Sequence, residues 1–476
     1  MPCPAGTRGE AASSARPRRR SVRRAGTVCP PQESTGRRRK WQVADGDSRK
    51  GPGRFGAPSD APVILSDVPG SFTWKVLHDR HPALIQKVRD ATPYDPERLR
   101  ALDLLLGEIT EGVIGPLEGA MHDRDLWESW DRGHIGERWD DAPFLWTESY
   151  FYRKLLAAVG YFDPGPWQGI DPFEPFKQAE LFGEAVDDEL RALDGFPALD
   201  VGERDQALIL RALWGNRADL VFRISAGGSG LAAQVPGLVA DDSALIWSMI
   251  DGLSATGGSL AGGAPAGGDS TVGRGLAGGA PAADGRSSRI CLVADNAGSE
   301  LLPDLVLIDH LLHARGVGEV VLHVKPSPYY VSDAMMTDVV ACLRRMSEAG
   351  GQAGEIGGRL REAMGSGRLL VRAHVFSCAP LPYSEMPDDL RKDFASASLT
   401  IMKGDLNYRR LVGDRYWPPT TPFAEVTGYF PGPVAALRTL KSEVVVGLGA
   451  ETVTALEASG QPWRVSGTHG LIQARS

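Results

Sequence analysis

Cysteine is scarce: the 476 residues hold five (Cys3, Cys29, Cys291, Cys342 and Cys378), with no CxxC pair and no regular spacing. That excludes a zinc finger and a disulfide framework, and it suits a reducing compartment. Long apolar runs are missing too. No stretch approaches the ~18–20 residues that a membrane span needs, and the N-terminus lacks the hydrophobic segment of a secretory signal. The expected location is therefore cytoplasmic, with no membrane partner. Nucleotide fingerprints are also wanting. AGGSG at 226–230 has no Lys-Ser/Thr after it, GLG at 447–449 lacks a third glycine, and no GxSxG elbow occurs.

What is present is a globular balance of 42% hydrophobic and 24% charged residues, with core enough to need neither disulfides nor a structural metal. Charge is unevenly spread. Residues 1–54 carry 14 Lys/Arg against 4 Asp/Glu, which leaves 38 basic and 56 acidic residues beyond them. An acidic body repels nucleic acid, so none is expected as a partner, and any phosphate must be met by a few placed cations.

Four segments follow along the chain. Residues 1–60 are rich in Arg, Gly, Pro and Ser and too poor in aliphatics to order themselves, so a disordered basic tail is expected. Residues 61–253 read as mainly helical, from HPALIQKVRD and ERLRALDLLLGEITEGVIGPLEGAM through the aromatic-rich APFLWTESYFYRKLLAAVGYF to RDQALILRALWGNRADL. Residues 254–288 are Gly/Ala-rich, with LAGGAPA at 260–266 and again at 276–282, and read as a flexible insertion. From 289 to 476 strands and helices alternate. RICLVAD, EVVLHVK, RLLVRAHVF, SLTIMKG and EVVVGLG are the predicted strands. The helix ELLPDLVLIDHLLHARG is closed by Gly316, and DAMMTDVVACLRRMSEAG forms the next one. Such alternation predicts an α/β fold with a doubly wound parallel sheet.

In such sheets ligands bind beyond the carboxyl ends of the strands. The first strand ends in Asp295-Asn296, with Glu300 following. The second ends in Lys325, and its loop passes Tyr329 and Tyr330 to Asp333; SLTIMKG delivers Lys403, Gly404, Asp405 and Asn407. Asp295, Asn296 and Asp333 are hard oxygen donors with no His or Cys beside them, a set suited to Mg²⁺ or Mn²⁺ rather than zinc. Each has a plainer reading: Asp-Asn after a strand is a common turn or cap, and Asp333 suits the N-cap of its helix. Convergence on one sheet edge favours the metal. Lys403 and Lys441, with Arg438 nearby, are the candidate cations for a phosphate. For Lys441 and Arg438 the plainer reading is a solvated helix end. His310 and His313 read as structural.

Several blocks carry a family likeness: VADNAGSELLPDLVLIDHLL, PYYVSDAM, KGDLNYRRLVGDRYW and RTLKSEVVVGL, in that order, with TESYFYRK, DPFEPFKQ and LWGNRADL upstream. Together they resemble the damage-control phosphatases, and within them the acidic-residue methyltransferase-like subfamily III. Its RTxK motif stands here as Arg438-Thr439-Leu440-Lys441. The resemblance implies a Rossmann-like α/β/α sandwich beside a mostly helical N-terminal domain. It implies a metal-dependent phosphatase acting on small phosphate esters such as fructose 1-phosphate and fructose 6-phosphate. The metal would be Mn²⁺ or Mg²⁺, with Co²⁺ or Ni²⁺ as alternatives, on Asp295, Asn296 and Asp333. Substrate would meet Asp295, Asn296, the run Lys403, Gly404, Asp405, Leu406 and Asn407, and Lys441. Glu300 matches a position assigned to S-adenosylmethionine contact in members described as methyltransferases. Asp295, Asp333 and Asp405 are the expected catalytic carboxylates. The attacking group stays open between water activated at the cation and an aspartate that forms an acyl phosphate. Two rivals remain: a carboxyl O-methyltransferase using S-adenosylmethionine, and a non-catalytic sugar-phosphate-binding protein. Against the first, no glycine-rich loop follows the strand that ends in Asp295. The basic tail and the Gly/Ala insertion are the departures from the family pattern.

Overall fold

Strands buried on both faces need apolar residues at nearly every position, and the short Val/Ile/Leu runs after residue 288 meet that demand. In the computed structural model, which describes residues 61–118, 122–215, 237–257 and 288–476, they form most of a seven-stranded sheet. Its members are β1 (Leu238–Asp241), β2 (Arg289–Val293), β3 (Glu319–Val324), β4 (Leu369–Ala373), β5 (Leu399–Lys403), β6 (Val434–Thr439) and β7 (Gly470–Arg475), in the order β1-β7-β6-β5-β2-β3-β4. Only the β6–β7 pair is antiparallel. The tail, most of the Gly/Ala-rich segment and AGGSG lie outside the described residues.

Four predicted strands are present, and one is not. EVVVGLG is an irregular buried segment, and the neighbouring VAALRT is the strand instead. Strands β1 and β7 were not anticipated, and β7 makes one sheet edge mixed rather than purely parallel. The helix predicted to run from Glu97 towards Met121 stops at Glu111, where Gly112 follows it. Gly351–Gly365, unassigned from sequence, is a further helix.

Side-chain alternation along β2 splits the core in two. Cys291 and Val293 join Phe151, Tyr150 and Leu102 on one face, where the helices Pro96–Glu111 and Phe144–Ala158 pack. Ile290 and Leu292 join Leu208, Leu305 and Leu343 on the other, beneath the helices Val201–Trp214, Leu301–His313 and Met336–Ala349. The result is an α/β/α sandwich of Rossmann-like type. Helices of the 61–253 segment contribute to both outer layers. Near its start, a short helix Phe72–Lys75, a π-turn Val76–Arg80 and the helix His81–Ala91 run on continuously. Among the described residues, no helix is long and apolar enough to cross a membrane.

Candidate active site

Asp295 lies two residues past β2, and the chain there is still pinned: Ala294 N donates to His323 O at 3.0 Å. The loop after β3 then turns back along it. Ala297 N donates to Ser332 O (2.7 Å), Ala334 N to Asp295 O (2.8 Å) and Lys325 N to Ala334 O (2.8 Å). Asn296 and Asp333 pair as an isolated antiparallel bridge. This short backbone ribbon places Asp333 beside Asp295 and Asn296. Asp333 is therefore not the cap of its helix, whose N-cap is Met335.

The three side chains are buried or nearly so, but poorly satisfied. Asn296 Nδ2 reaches Asp295 Oδ2 at 3.2 Å, and Ser332 Oγ donates to Asn296 Oδ1 at 2.7 Å. Asp333 Oδ2 has the Lys325 ammonium 3.3 Å away, yet it accepts no well-directed hydrogen bond. Burial raises the Asp333 carboxyl to about 6, against the pull of Lys325. Burial also lifts Asp295 well above the usual carboxylate range, and the charges of Glu300 and Asp333 add to it. The ammonium groups near them, Lys325 at Asp333 and Lys441 and Lys403 at Asp295, do not offset the cost of burial, so both sites are short of positive charge.

That deficit is the test of fit for a cation. Among the described residues no group of three His, Cys, Asp or Glu is gathered to hold a metal, so the candidate set is two carboxylates and an amide. Mg²⁺ and Mn²⁺ accept such sparse oxygen sets, completing them with water and substrate phosphate. The buried, unbonded Asp333 oxygen fits the same group.

On the opposite side of the site the backbone comes close. Gly404 has φ +84°, and a Cβ there would lie 1.9 Å from Asp295 Oδ2. No side chain fits between β5 and that carboxylate. The residues around Gly404 are engaged differently from the expectation. Lys403 donates to Asp304 Oδ1 at 2.6 Å within a buried ion pair, rather than opening toward substrate. Asn407 is fully buried, and its Nδ2 donates to Ala294 O (3.0 Å) and Lys403 O (2.8 Å) while its Oδ1 accepts from Tyr383 OH (3.1 Å). Its amide clamps the ends of β2 and β5 together beneath Asp295.

Asp405 Oδ1 receives Arg438 Nε at 2.8 Å, Ser442 Oγ at 3.0 Å and the Lys441 amide at 3.3 Å. Burial alone would raise its carboxyl, but the Arg438 and Arg409 guanidiniums bring it below the usual range. It is an anchored carboxylate, poorly suited to proton transfer. Arg438 is no solvated helix end. It lies on β6, fully buried, bonded also to the Ser442 hydroxyl and the Val444 carbonyl, with its guanidinium 4.3 Å from the Tyr408 ring centre. Lys441, next to this knot, is half-exposed, and its ammonium lies 3.5 Å from Glu300 Oε1.

These groups meet at a cavity of about 470 Å³, lined by Asp295, Asn296, Asp333, Asp405, Leu406 and Lys441 and walled by Arg80, His81, Glu148, Tyr152, Tyr330 and Arg409. Lys403 and Asn407 lie behind its surface. Of the second group, sequence reading named Tyr330 alone. Glu148 accepts from Tyr330 OH and Arg409 Nη1, each at 2.9 Å, and so ties the aromatic helix to the loop bearing Asp333. Charged Glu148 amid the aromatic residues of that helix was the available signal. His310 meets Asp205 at 2.8 Å on the far face of the sheet, away from this cavity.

The sequence model of the damage-control phosphatase ARMT1-like domain matches residues 76–456. The damage-control phosphatase ARMT1 of Rattus norvegicus is 28% identical over 466 residues, covering 87% of this chain and 99% of that protein. The Xenopus laevis protein of that name is 29% identical over 463 residues, with 87% and 99% covered. The human one is 26% identical over 452 residues, with 85% and 96% covered. A solved DUF89 family protein from Pyrococcus horikoshii aligns over 86% of this chain and 99% of its own at 13% identity and a TM-score of 0.43, too distant to add to these matches.

Proposed function

The chain belongs to the ARMT1-like damage-control phosphatase family, and we propose that it hydrolyses small sugar phosphates, fructose 1-phosphate and fructose 6-phosphate among them, with a divalent cation on Asp295, Asn296 and Asp333. The observation that carries this reading is the backbone bridge between Asn296 and Asp333, which sets under-satisfied carboxylates at the floor of a 470 Å³ cavity. Mg²⁺ or Mn²⁺ there would supply positive charge to a phosphoryl oxygen.

The chain's own residues do the rest. Gly404 leaves room for the Asp295 carboxylate. Lys441, half-exposed beside Glu300, offsets charge on the phosphoryl oxygens as the bond to the leaving group breaks. Asp405 holds the Lys441 amide and Arg438, and so orients the RTxK segment toward the cavity. Tyr152, Tyr330 and Leu406 contribute apolar surface to the wall of the site. We place the enzyme in the cytoplasm, on the scatter of its five cysteines.

The test is phosphate release from a panel of sugar phosphates by the purified chain with Mn²⁺ or Mg²⁺, beside Asp295→Ala. Release that Asp295→Ala lowers by about 10³-fold or more is expected. No release above the variant would refute the phosphatase reading, and labelled methyl transfer to protein carboxylates in its place would favour the methyltransferase.

A further inference from the structure

Buried polar atoms in folded proteins nearly always find a partner, and those that do not need a reason. His81 is such a case within the cavity wall. The residue is only 2% exposed, and neither Nδ1 nor Nε2 makes a hydrogen bond. Its ring stacks on Phe151 at 3.8 Å and 7°, with Tyr152 edge-on at 5.9 Å. Phenylalanine would satisfy that packing with no polar atom to desolvate. Burial, then the charge of Arg80, pushes the imidazole down to about 3, so it is neutral at physiological pH.

The backbone singles out the same spot. His81 closes the π-turn Val76–Arg80, its N–H donating to Val76 O. A π-turn inserts one residue into a helix, re-aims the side chains around it, and recurs at functional sites. Here Val76, Arg80 and His81 all reach the cavity that holds Asp295 and Asp333.

Each nitrogen of a neutral imidazole can meet a hydroxyl, one as donor and the other as acceptor. We infer that His81 is a specificity-determining residue that binds a hydroxyl of the substrate's organic part, opposite the carboxylate floor. This rests on the sugar-phosphate reading above. It adds that selection among esters is made by the helical wall, at a position outside every block that carries the family resemblance. Phosphate itself gains nothing from His81.

The experiment compares the full chain with His81→Phe, which keeps the ring stack, and His81→Asn, which keeps a donor and an acceptor. The selectivity for fructose 6-phosphate over phenyl phosphate, as a ratio of kcat/KM, is expected to fall about tenfold in His81→Phe and to recover in part in His81→Asn. Calorimetry should show the affinity for fructose 6-phosphate falling by a similar factor while that for inorganic phosphate holds. The unfolding temperature of His81→Phe should match or exceed that of the wild type. An unaltered selectivity ratio, or equal weakening toward both ligands, would overturn the inference. If the wild type turns over neither ester, the phosphatase reading fails, and the calorimetric contrast still decides the role of His81.

Discussion

The two halves of the sheet edge are built on opposite principles. At the ends of β2 and β3, Asp295 and Asp333 are buried with raised pKa values, and Asp333 Oδ2 lacks a hydrogen bond. At the ends of β5 and β6, Arg438 is just as deep and Asp405 largely buried, yet their knot is closely bonded and the Asp405 carboxyl sits below its usual range. Burial is common to both, so burial does not mark the binding half. Incomplete pairing does. Under the proposed reading the less satisfied half takes the ligand, and the satisfied half frames it.

The sharpest way to break this contrast is to neutralise one member of each half. Asp333→Asn should cut phosphatase turnover by about 10³-fold while costing the metal-free chain little stability, because burial already opposes the Asp333 charge more than the buried Lys325 ammonium favours it. Activity and thermal melts on one preparation check both. Arg438→Ala should act the other way, lowering stability by about 3–5 kcal/mol, because Asp405 would be left buried without its partner. A denaturant titration in which Arg438→Ala costs less than Asp333→Asn would reverse the assignment of the two halves.

The smallest effect is in pH. A carboxyl whose folded pKa is raised binds its proton more tightly in the folded state, so its contribution favours folding below the unfolded value near 3.8 and is lost as pH rises through about 6. Asp304, also raised to about 6 in its pair with Lys403, titrates in the same window. The metal-free wild type should therefore lose stability between pH 4 and pH 7 more steeply than Asp333→Asn, and Mn²⁺ should flatten the difference. Equal slopes in the two metal-free proteins would show that Asp333 is not raised.

The binding half was the more legible one. RICLVAD is an apolar run that ends in two hard donors, and a buried parallel strand leaves its carboxyl end as the place for chemistry. Asp333 could be grouped with them only by topology, because a ribbon of backbone bonds, invisible in composition, carries it there. The frame half was misread for physical reasons. EVVVGLG has the residues of a strand, but its carbonyls at Val444 and Val446 are taken by Arg438 and Gln473 side chains rather than by a neighbouring strand. VAALRT is so poor in large side chains that it passes unnoticed beside it. Five glycines hid the helix Gly351–Gly365. One of them, Gly357, lies where a Cβ would be 3.2 Å from Met346 Cβ, so small size there serves close helix packing. Lys403 showed its position but not its partner, since Asp304 approaches from another element.

The ribbon also has a topological meaning. Asp295 and Asp333 bracket a stretch of chain that contains the whole helix Leu301–His313 and the interior strand β3. A cation held between them, as proposed, closes that stretch into a loop. Closing a loop removes conformations from the unfolded chain, which is how a disulfide is thought to stabilise a fold. A protein with five scattered cysteines would thus have a reversible staple of another kind, set by the free concentration of a divalent ion and undone by a chelator.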